Sequence, residues 1–207
     1  MKLSVSNNSE FSWDSLHVVP VSDKIVSDLR KKPKTSFEKA LHEIVKDKFF
    51  DDAKKPYYTG HLIDGKHFPL LLLGLGKEKE LNLEKLRRSV AGVAGKAKDL
   101  SLEGISLHLP ELEKFSAEET AKAFAEGLLL GSYVFDKYKT YSKETPKKEV
   151  KTASFIVSVK DSAKAKKVLE EVELVSENVF MVRDLQNDNA NVVTPLKLVE
   201  VAKDLAK

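Results

Sequence analysis

Apolar positions along the chain switch between a spacing of two and a spacing of three to four, which predicts strands separated by helices. Leu16–Val21 is a short apolar run and reads as a strand. Thr35–Lys48 places Phe37, Leu41, Ile44 and Val45 at helical intervals. Tyr57–Ile63 and Lys66–Leu75 flank Asp64-Gly65, a pair suited to the type I′ turn of a hairpin. The second of these segments holds Phe68 and the unbroken run Leu70–Leu73. A continuous apolar run predicts a strand covered on both faces, hence a central one. Asn82 can cap a helix that carries Leu83, Leu86, Val90, Val93, Ala97 and Leu100 on one side. Gly104–Leu109 reads as a strand. Ser116 and Glu119 then form a capping-box pattern that opens a long helix to about Tyr141. Ala153–Val159 is a further strand, followed by a charged helix over Ala163–Val172 and another over Ser176–Leu185. Thr194 caps a last helix, with Pro195 at its first position.

This alternation predicts an α/β sandwich with a largely parallel or mixed sheet between helices, and the hairpin supplies at least one antiparallel pair. Lys143–Lys151 is polar, contains Pro146 and reads as an exposed loop. Gln186–Val193 is the natural linker. Internal repeats and low-complexity tracts are absent from the sequence.

Composition narrows the function classes. In 207 residues, 42% are apolar, enough for a packed core. Without cysteine there can be no disulfide, thiolate metal site or Cys nucleophile, which fits a reducing compartment. Met1–Leu16 is broken by Asn7, Asn8 and Glu10 and lacks the apolar core of a signal peptide. The runs at Leu70–Leu73 and Leu128–Leu130 are too short to span a bilayer. Net charge is +3, from 35 basic and 32 acidic residues. The pairs Lys31-Lys32, Lys54-Lys55 and Lys147-Lys148 all have acidic neighbours, unlike the segregated basic face of a nucleic-acid binder. Lys greatly outnumbers Arg, which disfavours bidentate recognition of bases or phosphates.

Candidate chemistry is mostly excluded. A His-Glu-x-x-His zinc helix needs two histidines one turn apart, and His42-Glu43-Ile44-Val45-Lys46 lacks the second. His61 and His67 flank the hairpin turn, but a two-residue loop pairs His61 with Phe68 and Leu62 with His67, putting the two histidines on opposite faces. Asp51-Asp52, Glu118-Glu119 and Glu170-Glu171 are sequence neighbours whose side chains diverge, and they read as surface charge and cap residues. A Gly-x-Ser-x-Gly elbow is missing. Gly74-Leu75-Gly76-Lys77 has neither the spacing of a P-loop nor the three glycines of a dinucleotide loop, and reads as a tight exit from a buried strand. Gly127 and Gly131, one turn apart, are expected to let their helix lie close against a neighbour. Catalytic, cofactor-binding and metal residues are therefore expected to be none in this chain.

Three ordered blocks nevertheless carry a resemblance. Gly74-Leu75-Gly76-Lys77 precedes the helix with Leu86-Arg87-Arg88. Ala125-Glu126-Gly127-Leu128-Leu129-Leu130-Gly131-Ser132-Tyr133 runs into Phe135-Asp136-Lys137-Tyr138-Lys139. Arg183-Asp184-Leu185-Gln186-Asn187 is followed by Asn191 and Thr194-Pro195. From about Leu70 onward this order resembles the amino-terminal domain and interdomain segment of the leucyl (cytosol) aminopeptidase family. One departure is the lack of a proline near Asn189-Ala190, where family members commonly carry one.

The resemblance implies a macro-domain-like fold, a mixed sheet between helices, with a non-catalytic domain over residues 1–170 and interdomain helices over 171–207. It implies a cytoplasmic parent that removes amino-terminal residues from peptides, using two divalent metals, zinc or manganese, held in a carboxy-terminal catalytic domain. The metal motif built around Asn-Thr-Asp-Ala-Glu-Gly-Arg occurs nowhere here. Its implied partners are that catalytic domain and further copies of the parent, in a hexamer; no membrane is implied. The function expected is that of an accessory and assembly domain without cleavage activity of its own. The alternative is a nucleic-acid or nucleotide module, since macro-like folds can take ADP-ribose-like ligands and some relatives bind DNA. The helix from Pro195 carries Leu196, Leu198, Val199, Val201, Ala202 and Leu205 and reaches the chain end without a Gly or Asn cap. It is expected to lack a native docking site within this chain, leaving residues after about Asn187 mobile or held by a foreign surface.

Overall fold

The computed structural model describes residues 1–7, 14–31, 33, 36–46, 56–63, 66–142 and 147–206. Asp64-Gly65, Asp51-Asp52, Lys54-Lys55 and Lys32 lie outside these residues. The elements are β1 (Lys2–Ser6), β2 (Ser15–Ser22), α1 (Asp23–Lys31), α2 (Ser36–Lys46), β3 (Tyr57–Ile63), β4 (Lys66–Gly76), α3 (Leu83–Val90), α4 (Val93–Asp99), β5 (Gly104–His108), α5 (Ala117–Ser132), β6 (Thr152–Ile156), α6 (Ser162–Asn187) and α7 (Pro195–Leu205).

The strands form one six-stranded sheet in the order β1-β6-β5-β2-β4-β3. Neighbours from β1 through β4 run parallel, and β3 alone is antiparallel, paired with β4. The sheet is therefore mixed, as the spacing predicts. Its register pairs His61 with Phe68 and Leu62 with His67. Leu70–Leu73 of β4 are all buried, two on each side of the sheet. Leu71 and Leu73 join Leu16, Val18, Ile105 and Phe124 in the core beneath α3, α4, α5 and α6. Leu70 and Leu72 join Val19, Val21, Leu41 and Val45 beneath α1 and α2. The result is a three-layer sandwich. Phe124 and Phe155 are fully buried, and burying such a side chain contributes about 1.5–3 kcal/mol.

Two predicted caps form as their chemistry requires. The Asn82 side chain accepts from the Lys85 N–H at 2.8 Å. Ser116 accepts from the Glu119 N–H at 3.1 Å while Glu119 accepts in return from the Ser116 N–H at 2.9 Å, a complete capping box. At the sheet edge, the Glu173 carboxylate of α6 accepts the N–H of Leu3, which covers part of the outer side of β1.

The structure differs from the sequence reading in four places. The helix after Asn82 is two helices, broken at Ala91-Gly92, where glycine weakens helical continuity. α5 stops at Ser132, not near Tyr141, because Tyr133 turns to extended backbone and places its ring 5.4 Å from Phe180 of α6. Conversely, Ala163–Val172 and Ser176–Leu185 belong to one 26-residue helix, α6, and position 170 lies inside it. No Gly or Pro interrupts Ser162–Asn187, and Ser176, the expected start of a second helix, is buried in the helix interior. Finally, β1 and α1 are elements that the periodicity reading passed over. α1 packs only Val26 and Leu29 inward, too short a stripe to stand out.

Gly127 and Gly131 do bring α5 against a neighbour. A Cβ at Gly127 would lie 2.1 Å from the carbonyl oxygen of Arg87 in α3, and one at Gly131 would lie 2.3 Å from that of Ala91. These are backbone atoms and cannot rotate away. The Arg87 guanidinium also pairs with Glu126, so a charge contact registers the two helices beside the glycines. Replacing Gly127 with Ala is expected to force the helices apart and to destabilise the domain by about 1–3 kcal/mol, the usual cost of overpacking. Urea unfolding measures this, and a midpoint equal to that of the unaltered chain would contradict the close-packing account.

Candidate functional site

Open α/β sheets bind ligands beyond the carboxyl ends of their strands, so the exits of β2, β4 and β5 are the first place to look. Glu78, two residues beyond β4, is buried there. Its carboxylate accepts from the Ser22 hydroxyl at 2.8 Å and from the Glu113 N–H at 3.1 Å, while its own N–H donates to Asp23 at 2.9 Å. Lys24 closes the rim by pairing with Glu113; contact with that carboxylate raises the lysine pKa and lowers that of the acid. A carboxylate of the protein thus already sits among the donors that an incoming phosphate would need. Alongside, Gly76 adopts φ 80°, the tight strand exit expected of Gly74-Leu75-Gly76-Lys77. A shallow hollow of about 350 Å³ follows it, where Lys85 Nζ donates to the Glu80 carbonyl at 2.7 Å and Lys77 lies 3.5 Å from the Glu80 carboxylate.

A larger open cleft, of about 960 Å³, lies between the segment after α5, residues 147–150 and the far half of α6. Its walls are tied by a set of contacts that form a clasp. The Tyr133 hydroxyl donates to Asp184 at 2.7 Å and accepts from the Asn187 amide at 3.1 Å. Arg183 donates to the Leu130 carbonyl at 2.9 Å, the last-turn carbonyl of α5, and lies 5.3 Å from the Tyr133 ring centre. Lys137 and the Tyr138 hydroxyl both engage Asp188, holding its carboxyl below the usual range. Lys147 bridges Glu149 and Asp136, and its pKa is raised by both contacts. The sequence blocks Tyr133–Lys139 and Arg183–Asn187, some fifty positions apart, therefore meet in space.

Beyond the clasp, α7 forms with Thr194 accepting from the Lys197 N–H at 3.3 Å, but none of its residues is buried. Leu196, Leu198, Val199 and Leu205 are exposed. On α6 the outward positions Leu174, Val175 and Val182 are exposed as well.

The other residues singled out by sequence hold structural posts. His42 Nδ1 lies 2.9 Å from the Leu29 carbonyl of α1. Glu118 pairs with Lys164 and Glu171 with Lys122, both across the α5–α6 contact. Among the described residues, His, Asp and Glu side chains nowhere gather in a group of three or more that could hold a metal ion. No described helix is long and apolar enough to cross a membrane. The buried Glu78 knot escaped sequence reasoning, because nothing local marks an acidic residue of a polar turn as buried.

The clasp predicts a local effect. Tyr133→Phe removes one donor and one acceptor from the clasp and should loosen the docking of residues 180–188, with little change elsewhere. Amide exchange resolved along α6 is the measurement. The last two turns should exchange faster while the turns around Leu169 keep their protection, and uniform protection along the helix would refute it.

With this geometry in hand, known proteins can be compared. The family described as "Cytosol aminopeptidase family, N-terminal domain" matches residues 18–142. A "Probable cytosol aminopeptidase" of Clostridium perfringens is 35% identical over 136 residues, which take in 66% of this chain and 28% of that protein. One of Treponema denticola is 34% identical over 159 residues, 77% of this chain and 32% of its own length. The matches thus span about a third or less of these relatives. Among solved structures, a tomato leucine aminopeptidase mutant superposes on 100% of this chain and 42% of its own, with a TM-score of 0.74 at 20% identity. The bottromycin maturation enzyme BotP in complex with Mn covers 94% of this chain and 36% of its own, with a TM-score of 0.68 at 18% identity. At these identities the superpositions establish the fold, and the sequence matches establish the descent: the chain belongs to the cytosol aminopeptidase family, to its amino-terminal domain.

Proposed function

We propose that this chain is the accessory and assembly domain of a metal-dependent leucyl aminopeptidase, joined to the helices that lead toward a catalytic domain. The observation that carries this reading is the clasp. It fixes the far half of α6 to the body of the domain, while α7, immediately beyond, has apolar side chains exposed and none buried. A domain whose best-organised surface contacts orient an outgoing helix is suited to positioning a neighbour. In this reading residues 1–170 form the non-catalytic body and residues 171–207 the interdomain segment, with α6 running through both.

The parent, in this proposal, is a cytoplasmic hexamer that removes amino-terminal residues from peptides. Its two divalent metals, zinc or manganese, belong to the catalytic domain. The described residues of this chain do not fit such a pair: Asp136, Asp184 and Asp188 around the clasp and Glu78 at the strand exits are engaged by lysine, tyrosine or serine donors, and no cluster of three ligands forms among the described residues. Glu78 supports the same reading over an ADP-ribose-like ligand, since a buried carboxylate at the strand exits repels a phosphate and occupies its donors.

Purified chain supplied with zinc or manganese should release no leucine from a leucyl substrate above a mock preparation. Metal-dependent turnover by the pure protein would overturn the non-catalytic assignment. Binding to duplex DNA should be weak and vanish at moderate salt, because a net charge of +3 neutralises few phosphates. A salt titration in which binding persists near physiological ionic strength would favour a nucleic-acid module instead.

A further inference from the structure

The open cleft beside the clasp has walls of opposite charge. One wall is the stretch 147–150 with the last turn of α4, and it presents Lys98, Lys147 and Lys148 against Glu149. The other wall is the far half of α6, which presents Glu177 and Asp184, with Asp188 just beyond its end. Val134, Phe180 and Met181 add an apolar lining. The volume of about 960 Å³ falls within the range of ligand sites.

Each wall takes its sign from local sequence that the fold holds in place. Residues 147–151 read Lys-Lys-Glu-Val-Lys, and the Lys151 N–H donates to the Glu103 carbonyl at 2.7 Å, which anchors the stretch beside β5. Lys147 by direct contact, and Lys98 from farther off, hold the Glu149 carboxyl below the usual range, so both ammonium groups stand around one carboxylate. On α6, Glu177 and Asp184 are seven residues apart with Met181 between them, three positions on one helical face. Asp184 and Asp188 serve the clasp through Tyr133, Lys137 and Tyr138. Glu177 lies two turns back from Asp184 and is exposed.

We propose that this cleft binds a short apolar peptide by both ends: Glu177 receives the terminal ammonium, Lys98 and Lys148 receive the terminal carboxylate, and Phe180 and Met181 meet the side chains. A peptide matches the lining because it carries a cation at one end, an anion at the other and apolar groups between. In a free amino acid both charges hang on one carbon and cannot face opposite walls. Each further residue separates them by up to about 3.3–3.6 Å. A phosphate-bearing ligand fits less well, since the acidic wall of α6 repels it. The inference goes beyond the accessory reading and does not depend on it.

Methyl NMR on the full chain tests this, with Met181 as the reporter inside the cleft and Ile105, buried in the core under α3–α6, as the control. Trileucine should move the Met181 signal saturably, with a Kd of about 1 mM, and leave Ile105 in place. Triglycine should move it far less. Acetylating the amino end of trileucine, or amidating its carboxyl end, should each weaken binding about two- to fivefold, the worth of one exposed ion pair. Glu177→Gln should cost the free peptide the same factor and the acetylated peptide nothing; Lys98→Gln with Lys148→Gln should behave likewise toward the amide. These positions lie outside both buried cores, so the variants keep the fold. A Met181 signal that ignores trileucine would overturn the proposal. So would blocked peptides that bind as well as the free one, or a Glu177→Gln loss that is the same with and without the acetyl group.

Discussion

The contact of α5 on α3, backbone against backbone, is the constraint on which the rest of the molecule depends. Two glycines one turn apart remove the side chains that would hold the helices at ordinary spacing, and the carbonyls of Arg87 and Ala91 occupy the space so created. Drawn in this close, α5 brings Phe124 and Leu128 over the sheet, both fully buried. Its other flank then receives α6, whose Lys164 and Glu171 pair with Glu118 and Lys122 of α5. Exposed ion pairs of this kind add little stability, so these serve register more than strength. What fixes α6 is the buried stripe Ala165, Leu169 and Val172 together with the contacts around Tyr133.

Polar groups do a different job at the strand exits. β2, β4 and β5 end close together, and each leaves backbone groups that must be satisfied away from bulk water. Glu78 answers that need from within, drawing one N–H and one hydroxyl from two other connections. In many α/β proteins the same place is left open for a ligand. Here it is closed by the chain itself, and the organised, accessible features lie at the opposite end of α5 and along α6.

Much of the architecture was legible from short-range pattern. Leu70–Leu73 announced a strand buried on both sides, and Asn82, Ser116 and Thr194 marked helix starts that all carry side-chain caps. Glycine spacing in α5 foretold a close approach, though not the partner. Errors arose where distant contacts outweigh local preference. Tyr133 leaves the helix because Phe180 and Asp184, on another element, offer its ring and hydroxyl better partners. Ser176, the expected start of a second helix, is instead buried mid-helix, a fact set by what packs over it. The clasp illustrates the same limit: its two halves stood out as family blocks, yet only the fold brings Tyr133 to Asn187.

The continuity of α6 has a mechanical consequence. At about 1.5 Å per residue, its 26 residues make a rod of roughly 39 Å, comparable to the width of a small domain. One end is embedded against β1 and α5; the other leaves the body at Asp188. A rod of that length acts as a lever arm: a tilt of about 5° at its root displaces its tip by roughly 3 Å. Fastening the tip through Arg183, Asp184 and Asp188 suppresses that amplification, so small adjustments in the sheet are not magnified into swings of whatever α6 carries. A loose strap in the same place would have given reach; a pinned rod gives aim.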